Sequence, residues 1–193
     1  MARPARLSLI LLVLALAGCG GGGGGKKSTC PAPLLDPRRP HTVDVLTNFG
    51  GFQIRLDVKD SPCVTSSFAS LVRKRFFDGT IFHRIVPGFV IQGGDPTGTG
   101  TGGPGFTVTE PPPRDSLYTE GVVAMAKSQS EPPGAAGSQF FIVTAPNAGL
   151  PPEYAILGVV TKGLKTVERI GRLGNRVTER PARRVAVLRM TVV

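Results

Sequence analysis

The chain has 193 residues, of which 40% are hydrophobic and 19% charged, with a formal net charge of +10. A length of this order supports one domain of about 150 residues with a sufficient core, and no internal repeat divides it further. Much of the positive charge lies in residues 169–184, which hold six arginines. Tryptophan is absent and neither Tyr nor Phe interleaves with that segment, so it reads as a solvated basic face biased towards an anionic envelope, with no nucleic-acid partner expected.

Residues 1–19 read as an export signal. Arg3 and Arg6 form a basic start, and residues 7–17 are apolar except for Ser8. That run falls well short of the about 20 apolar residues a membrane-spanning helix needs. Its end, Leu16-Ala17-Gly18-Cys19, has the small residues and thiol of a lipoprotein cleavage box, so Cys19 is expected to carry a lipid and to begin the mature chain. The expected location is extracytoplasmic, anchored to the cell membrane or an outer membrane. Stable anchoring requires more than one acyl chain, which a processed lipoprotein has. Residues 20–41 follow as a Gly-rich, then Pro-rich tether with no packed structure expected.

Two further cysteines remain, Cys30 in the tether and Cys63 beyond it. An oxidising compartment permits a bond between them. Two free thiols, with Cys63 a small core residue, is the other reading.

Folding is expected from near His41. Val43 and Val45 alternate with polar residues, residues 48–51 turn the chain, and Phe52, Ile54 and Leu56 resume the alternation, which predicts a hairpin with one buried face. Ser61-Pro62 predicts a helix start, with the serine as N-cap and the proline at the first helical position. Val64, Phe68, Leu71 and Val72 make its core stripe. Residues 80–86 form a strand that Pro87-Gly88 interrupts, and Phe89, Val90 and Ile91 lead to Gln92. A loop with seven glycines follows through residue 105, where bare backbone can approach a ligand or a neighbouring strand closely.

Residues 110–114 read as surface chain. Further strands are expected at residues 122–127, 138–144, 155–160 and 184–193. In the second, Gln139, Phe141 and Val143 share one face while Phe140 and Ile142 share the other. In the last, Ala186, Leu188, Met190 and Val192 are placed on the core side. Leu164, Val167 and Ile170 mark a second helix ending at Gly171. Many strands with only two helices point to a mainly β fold, a closed antiparallel barrel capped by the helices.

Several chemistries can be set aside. Residues 98–103 fit G-x-G-x-x-G in form, but Pro104-Gly105 follows where a dinucleotide site needs a helix. Only His41 and His83 could serve a hydrolase as base, Gly137-Ser138-Gln139 lacks the second glycine of a nucleophile elbow, and no cluster has metal-ligand spacing. No cofactor or metal is expected. His83 alone reads more readily as a strand histidine than as a catalyst.

The run FHRIVPGFVIQGGD at residues 82–95 resembles the signature of the cyclophilin-type peptidyl-prolyl isomerases. A second block in the same order, GVVAMA at 121–126, GSQFFIVTA at 137–145, then Leu150 and Tyr154, resembles the same family. The resemblance runs from Thr42 to Val193 and implies an eight-stranded barrel. It also implies isomerisation of X-Pro bonds in proline-containing polypeptides, here aiding the folding of exported proteins, by a monomer. By resemblance, Arg84 aims its guanidinium at the imide, assisted by Phe89, Gln92 and Gln139. Phe89, Phe141 and Leu150 form an apolar cup for the proline ring, and His83, Val90, Ala126, Lys127 and Tyr154 complete the substrate groove. Tyr154 stands where the family usually has histidine, Gly149 where it often has tryptophan, and Leu157 where phenylalanine is common. A proline-binding module or chaperone with little turnover is the other function such a site allows, though a pure binder has little need of an arginine aimed at the imide.

Overall fold

The computed structural model describes residues 35–193. The expected signal, the lipidation site Cys19, most of the tether and Cys30 lie outside them. Packed chain begins before His41: Leu35 is only 3% exposed and belongs to the main core, and the Asp36 carbonyl meets Nε2 of His41 at 2.9 Å.

Strands β1 (Thr42–Thr47) and β2 (Gly50–Leu56) form the expected hairpin, with Val43, Val45, Phe52, Ile54 and Leu56 buried. Helix α1 (Pro62–Arg73) follows, then β3 (Arg84–Val86), β4 (Val90–Gly93), β5 (Val108–Thr109), β6 (Val122–Met125), β7 (Ala135–Ala136), β8 (Phe140–Val143) and β9 (Ile156–Lys162). Helix α2 (Leu164–Gly171) and β10 (Val187–Val192) complete the order. Eight strands make one curled antiparallel sheet in the order β10-β1-β2-β9-β6-β8-β4-β3, and β5 pairs with β7 apart from it.

The expected closed barrel is reached only as far as this curled sheet. Its terminal strands are β3 and β10, and no strand ladder joins them among the described residues. The chain before β3 meets the chain entering β10 through a bridge between Ile81 and Ala186, flanked by Phe82 N–H donating to the Val185 carbonyl at 3.0 Å and Val187 N–H to Thr80 at 2.9 Å.

The concave side of the sheet holds the main core. Phe140 lies at its centre with Phe68 of α1, Phe77 and Phe82 set edge-on around it at 5.6, 6.0 and 5.9 Å between ring centroids, the arrangement aromatic quadrupoles favour. Val64, Phe68, Leu71 and Val72 of α1 are all buried, as are Val167 and Ile170 of α2.

In β10 Met190 is buried and Val192 packs against the core as expected, but Val187 joins them, preceded by Val185, while Leu188 is 52% exposed. The register explains this: Thr47 faces Val187 but Leu46 faces Arg189, so Leu188 is the extra residue of a bulge and the alternation reverses there. Ser61 precedes α1 but makes no side-chain cap. The cap comes from Glu110, whose carboxylate accepts the amides of Cys63 at 3.1 Å and Val64 at 2.8 Å. A carboxylate at the positive end of the helix dipole satisfies two orphan donors at once. Residue 110, expected to be plain surface chain, therefore pins the β5 segment to α1. Glu110→Ala should lower unfolding free energy by about 1 kcal/mol, and Ser61→Ala by less, as chemical denaturation of both variants would register.

Candidate functional site

The site is a consequence of sheet register. Arg84 pairs with Gln92 across β3 and β4, Gln92 with Phe141 across β4 and β8, and Phe141 with Ala124 across β8 and β6. Cross-strand partners share a face, so these four side chains form a row. The adjacent row, Ile85, Ile91, Ile142 and Val123, points into the main core. The face division expected for Phe140 to Val143 is thus observed: Phe140 and Ile142 belong to the main core, Phe141 and Val143 to a second apolar cluster.

That second cluster gathers most of the expected apolar groups. Val90, Tyr118, Ala124, Phe141, Val143 and Ala145 are buried in it, with Phe89, Ala126, Leu150 and Tyr154 packed against them. Phe141 sits edge-on to Tyr154 at 5.4 Å. Tyr118, which the sequence reading passed over, fixes that partner. Its hydroxyl donates to the Tyr154 carbonyl at 2.7 Å and accepts the Tyr154 amide at 3.0 Å, and burial raises its pKa. Gly149 has φ 64, a left-handed backbone that a tryptophan would strain.

Along the polar side runs a relay. Arg84 Nη1 donates to Gln92 Oε1 at 3.3 Å, Gln92 Nε2 to Gln139 Oε1 at 3.0 Å, and Gln139 Nε2 to the carbonyls of Gly100 and Gly102, both at 2.9 Å. At its other end Arg84 Nε meets Glu179 Oε2 at 2.6 Å, and that hydrogen bond lowers the glutamate's pKa. A cleft of about 730 Å³ opens beside Gln92 and Gln139, between the glycine loop and residues 126–131.

The glycine loop is built on Asp95. Its buried carboxylate accepts the amides of Thr97 (2.7 Å), Thr99 (3.1 Å), Gly100 (2.6 Å) and Gly102 (3.1 Å), and the Thr97 hydroxyl at 2.8 Å. Burial pushes its pKa up, but the bonds from Thr97, Gly102 and Gly100 outweigh that and hold it well below the usual carboxylate range. The loop's amides therefore turn inward to a carboxylate. Glycine is required at 94, where φ is 84 and a Cβ would collide with the Ser138 carbonyl, and at 102, where it would collide with Asp95.

Lys127 and His83 differ from the rest of the expected set. The Lys127 side chain, 5% exposed, is drawn to Glu153 at 3.1 Å and lies 5.6 Å from the Tyr154 ring centre. It therefore braces the groove wall, while its neighbour's amide, Ala126 N–H, donates to the Gln139 carbonyl at 2.9 Å. The His83 ring lies under the glycine loop, within 3.7 Å of where a Gly100 side chain would begin. Among the described residues neither ring nitrogen meets a hydrogen-bond partner.

Residues 42–192 match the family model described as cyclophilin type peptidyl-prolyl cis-trans isomerase/CLD. The chain belongs to the cyclophilin-type peptidyl-prolyl cis-trans isomerases. Among curated relatives of this cyclophilin are the Arabidopsis thaliana peptidyl-prolyl cis-trans isomerase CYP18-2, 36% identical over 158 residues that cover 80% of this chain and 94% of the relative. The Mus musculus peptidyl-prolyl cis-trans isomerase-like 1 is 36% identical over 160 residues, covering 80% and 93%. A Cryptosporidium parvum cyclophilin, crystallised in the presence of the dipeptide Ala-Pro, superposes with a TM-score of 0.72 at 30% identity, covering 79% of this chain and 98% of its own. This cyclophilin is accordingly an isomerase.

Burial lowers the His83 pKa, with Arg84 acting in the same direction and Asp95 opposing too weakly to reverse it. A base whose folded pKa lies below its unfolded one contributes stability that is complete above the unfolded value, about 6.5 for histidine, and is lost as pH falls towards the folded value. The Tm of this cyclophilin should therefore fall between about pH 7 and about pH 5, before carboxylates titrate. The fall should be smaller in His83→Gln, measured by thermal denaturation at both pH values.

Proposed function

We propose that this isomerase acts outside the cytoplasm, tethered through a lipidated Cys19, on X-Pro bonds of exported proteins, and that Arg84 supplies its main electrostatic catalysis. Rotation about an X-Pro bond makes and breaks no covalent bond. The barrier, about 18–20 kcal/mol for an ordinary amide, comes from resonance, so a catalyst need only bind the twisted state better than the planar one. Binding and electrostatics suffice for that task.

The observation that carries the reading is Arg84 held by Gln92 on one side and Glu179 on the other, beside a floor made by Phe141. In this reading the proline ring rests on Phe141 between Phe89 and Leu150; a solved neighbour was crystallised in the presence of the dipeptide Ala-Pro. Gln92, Gln139 and the backbone at residues 126–127 hold the substrate's main chain. The guanidinium meets the prolyl carbonyl and then the ring nitrogen, whose lone pair emerges as conjugation is lost. Val90 sits behind Phe141 and supports the floor, His83 supports the loop, and Tyr154 walls the cup.

A fixed charged donor aimed at developing charge is worth roughly two to three orders of magnitude in rate. In a protease-coupled assay on a short X-Pro peptide, Arg84→Ala should lower kcat/KM by that factor with Tm nearly unchanged. Arg84→Lys should recover little, because a point charge on a flexible stem cannot reproduce the planar fork. More than about half the wild-type rate in Arg84→Ala would leave desolvation in the apolar cup as the mechanism. Absence of turnover in the wild-type protein would favour the proline-binding module instead.

Cys63, buried on α1, is disulfide-bonded, and Cys30 is the partner we propose. Non-reducing mass spectrometry of the mature protein should find neither thiol open to alkylation. Cys19→Ser should move the protein out of the membrane fraction of fractionated cells, and unchanged partition would remove the anchor from this reading.

A further inference from the structure

Glu179 is the part of the site that no local sequence pattern announced. It lies in a loop between α2 and β10 that folds upon itself. The Asn175 side chain accepts the amides of Val177 at 2.8 Å and Thr178 at 2.9 Å, the Asn175 carbonyl accepts the amide of Glu179 at 2.8 Å, and the Arg180 carbonyl accepts that of Asn175 at 3.1 Å. The loop then docks on the open edge of β3, where Ile85 N–H donates to the Glu179 carbonyl at 2.7 Å. One residue thus uses its carbonyl on Ile85 and its carboxylate on Arg84, next in the chain.

Glu179 does so with φ 55, a left-handed backbone. A non-glycine residue pays strain there, and such strain persists where surrounding structure dictates it, often at functional sites. Stability does not explain the arrangement. The Arg84 and Glu179 side chains are 34% and 43% exposed, and ion pairs in that setting contribute little. Geometry does explain it. A guanidinium anchored only through Nη1 can still pivot, whereas anchors on Nη1 and Nε together fix its plane. Nη2 then remains for the substrate, as no hydrogen bond holds it among the described residues.

We infer that Glu179 is a positioning residue for Arg84: its carboxylate, delivered by a strained loop on the edge of β3, sets the guanidinium plane in which the twisted imide is met. The inference rests on the role given to Arg84 above and goes one step past it.

The test compares variants of the mature protein in the peptide assay, with Tm measured alongside. Glu179→Gly removes the carboxylate while suiting the left-handed backbone, so Tm should hold or rise. Its kcat should nevertheless fall roughly tenfold, short of the about hundredfold cost of a 1 Å misplacement, with KM little changed. Glu179→Gln, whose Oε1 still accepts from Nε, should keep most of the rate. In an Arg84→Lys background, which has no Nε fork, Glu179→Gly should cost nothing more. If glycine loosens the loop and Tm drops, Glu179→Asn decides, since asparagine also tolerates left-handed backbone and its side chain is one methylene shorter. A rate within about twofold of wild type in the deciding variant, or an increase, would overturn the inference, as would an equal further loss in the Arg84→Lys background. Arg84→Ala separates the two readings. If it is fully active both fall, and if it is impaired while the deciding Glu179 variant is not, only the positioning role falls.

Discussion

The central row of the site depends on the antiparallel register that sets Arg84 opposite Gln92 and Gln92 opposite Phe141. Because side chains alternate across a sheet, that one alignment sends Ile85, Ile91 and Ile142 inward and their neighbours outward. A slip of one residue would put a guanidinium and an amide in the aromatic core and isoleucines in the groove. The burial of Phe82, Phe140 and Ile142 therefore protects the site's geometry as much as the fold's stability. The row from Arg84 to Phe141 rests on strands, which hold a side chain more rigidly than loops do.

The glycine loop converts a potential weakness into a fixed support. So many glycines would leave the chain with large conformational entropy, yet four amides and a hydroxyl converge on one buried carboxylate, Asp95. A buried charge is tolerated only when its acceptor sites are filled, so the loop's conformation and the carboxylate's ionisation enforce each other. Gly100 and Gly102 give their amides to Asp95 and their carbonyls to Gln139. The same two residues thus link the buried charge to the groove.

What was legible in the sequence was local or periodic. Alternation located β1, β2 and the two faces of β8, helical spacing located the stripes of α1 and α2, and the family blocks gathered Arg84, Phe89, Gln92, Gln139 and Phe141. What was not legible joins residues far apart in sequence. Glu110 caps α1 from 46 and 47 residues away, and Glu179 reaches Arg84 across 95. Neither carboxylate sits in a pattern that distinguishes it from a solvated surface charge. The bulge at Leu188 was hidden for a related reason. Its strand alternates in composition, and only the pairing with β1 reveals the extra residue. Tyr118, outside the blocks, is fixed by two bonds to the backbone of Tyr154.

The relay also has a direction, and chemistry dictates it. Arginine can only donate, so Gln92 must turn its oxygen to Arg84 and its nitrogen away. Gln139 must then meet that nitrogen with its own oxygen and aim its amide group at carbonyls, which the glycine loop supplies at residues 100 and 102. Donation runs one way from Arg84 to bare backbone, and acceptors stand at both ends, the loop carbonyls at one and Glu179 at the other. Neither glutamine can flip its amide without setting donor against donor at Arg84 or acceptor against acceptor at the loop. One cation at the head of the chain thereby fixes the orientation of both glutamine amides along the groove.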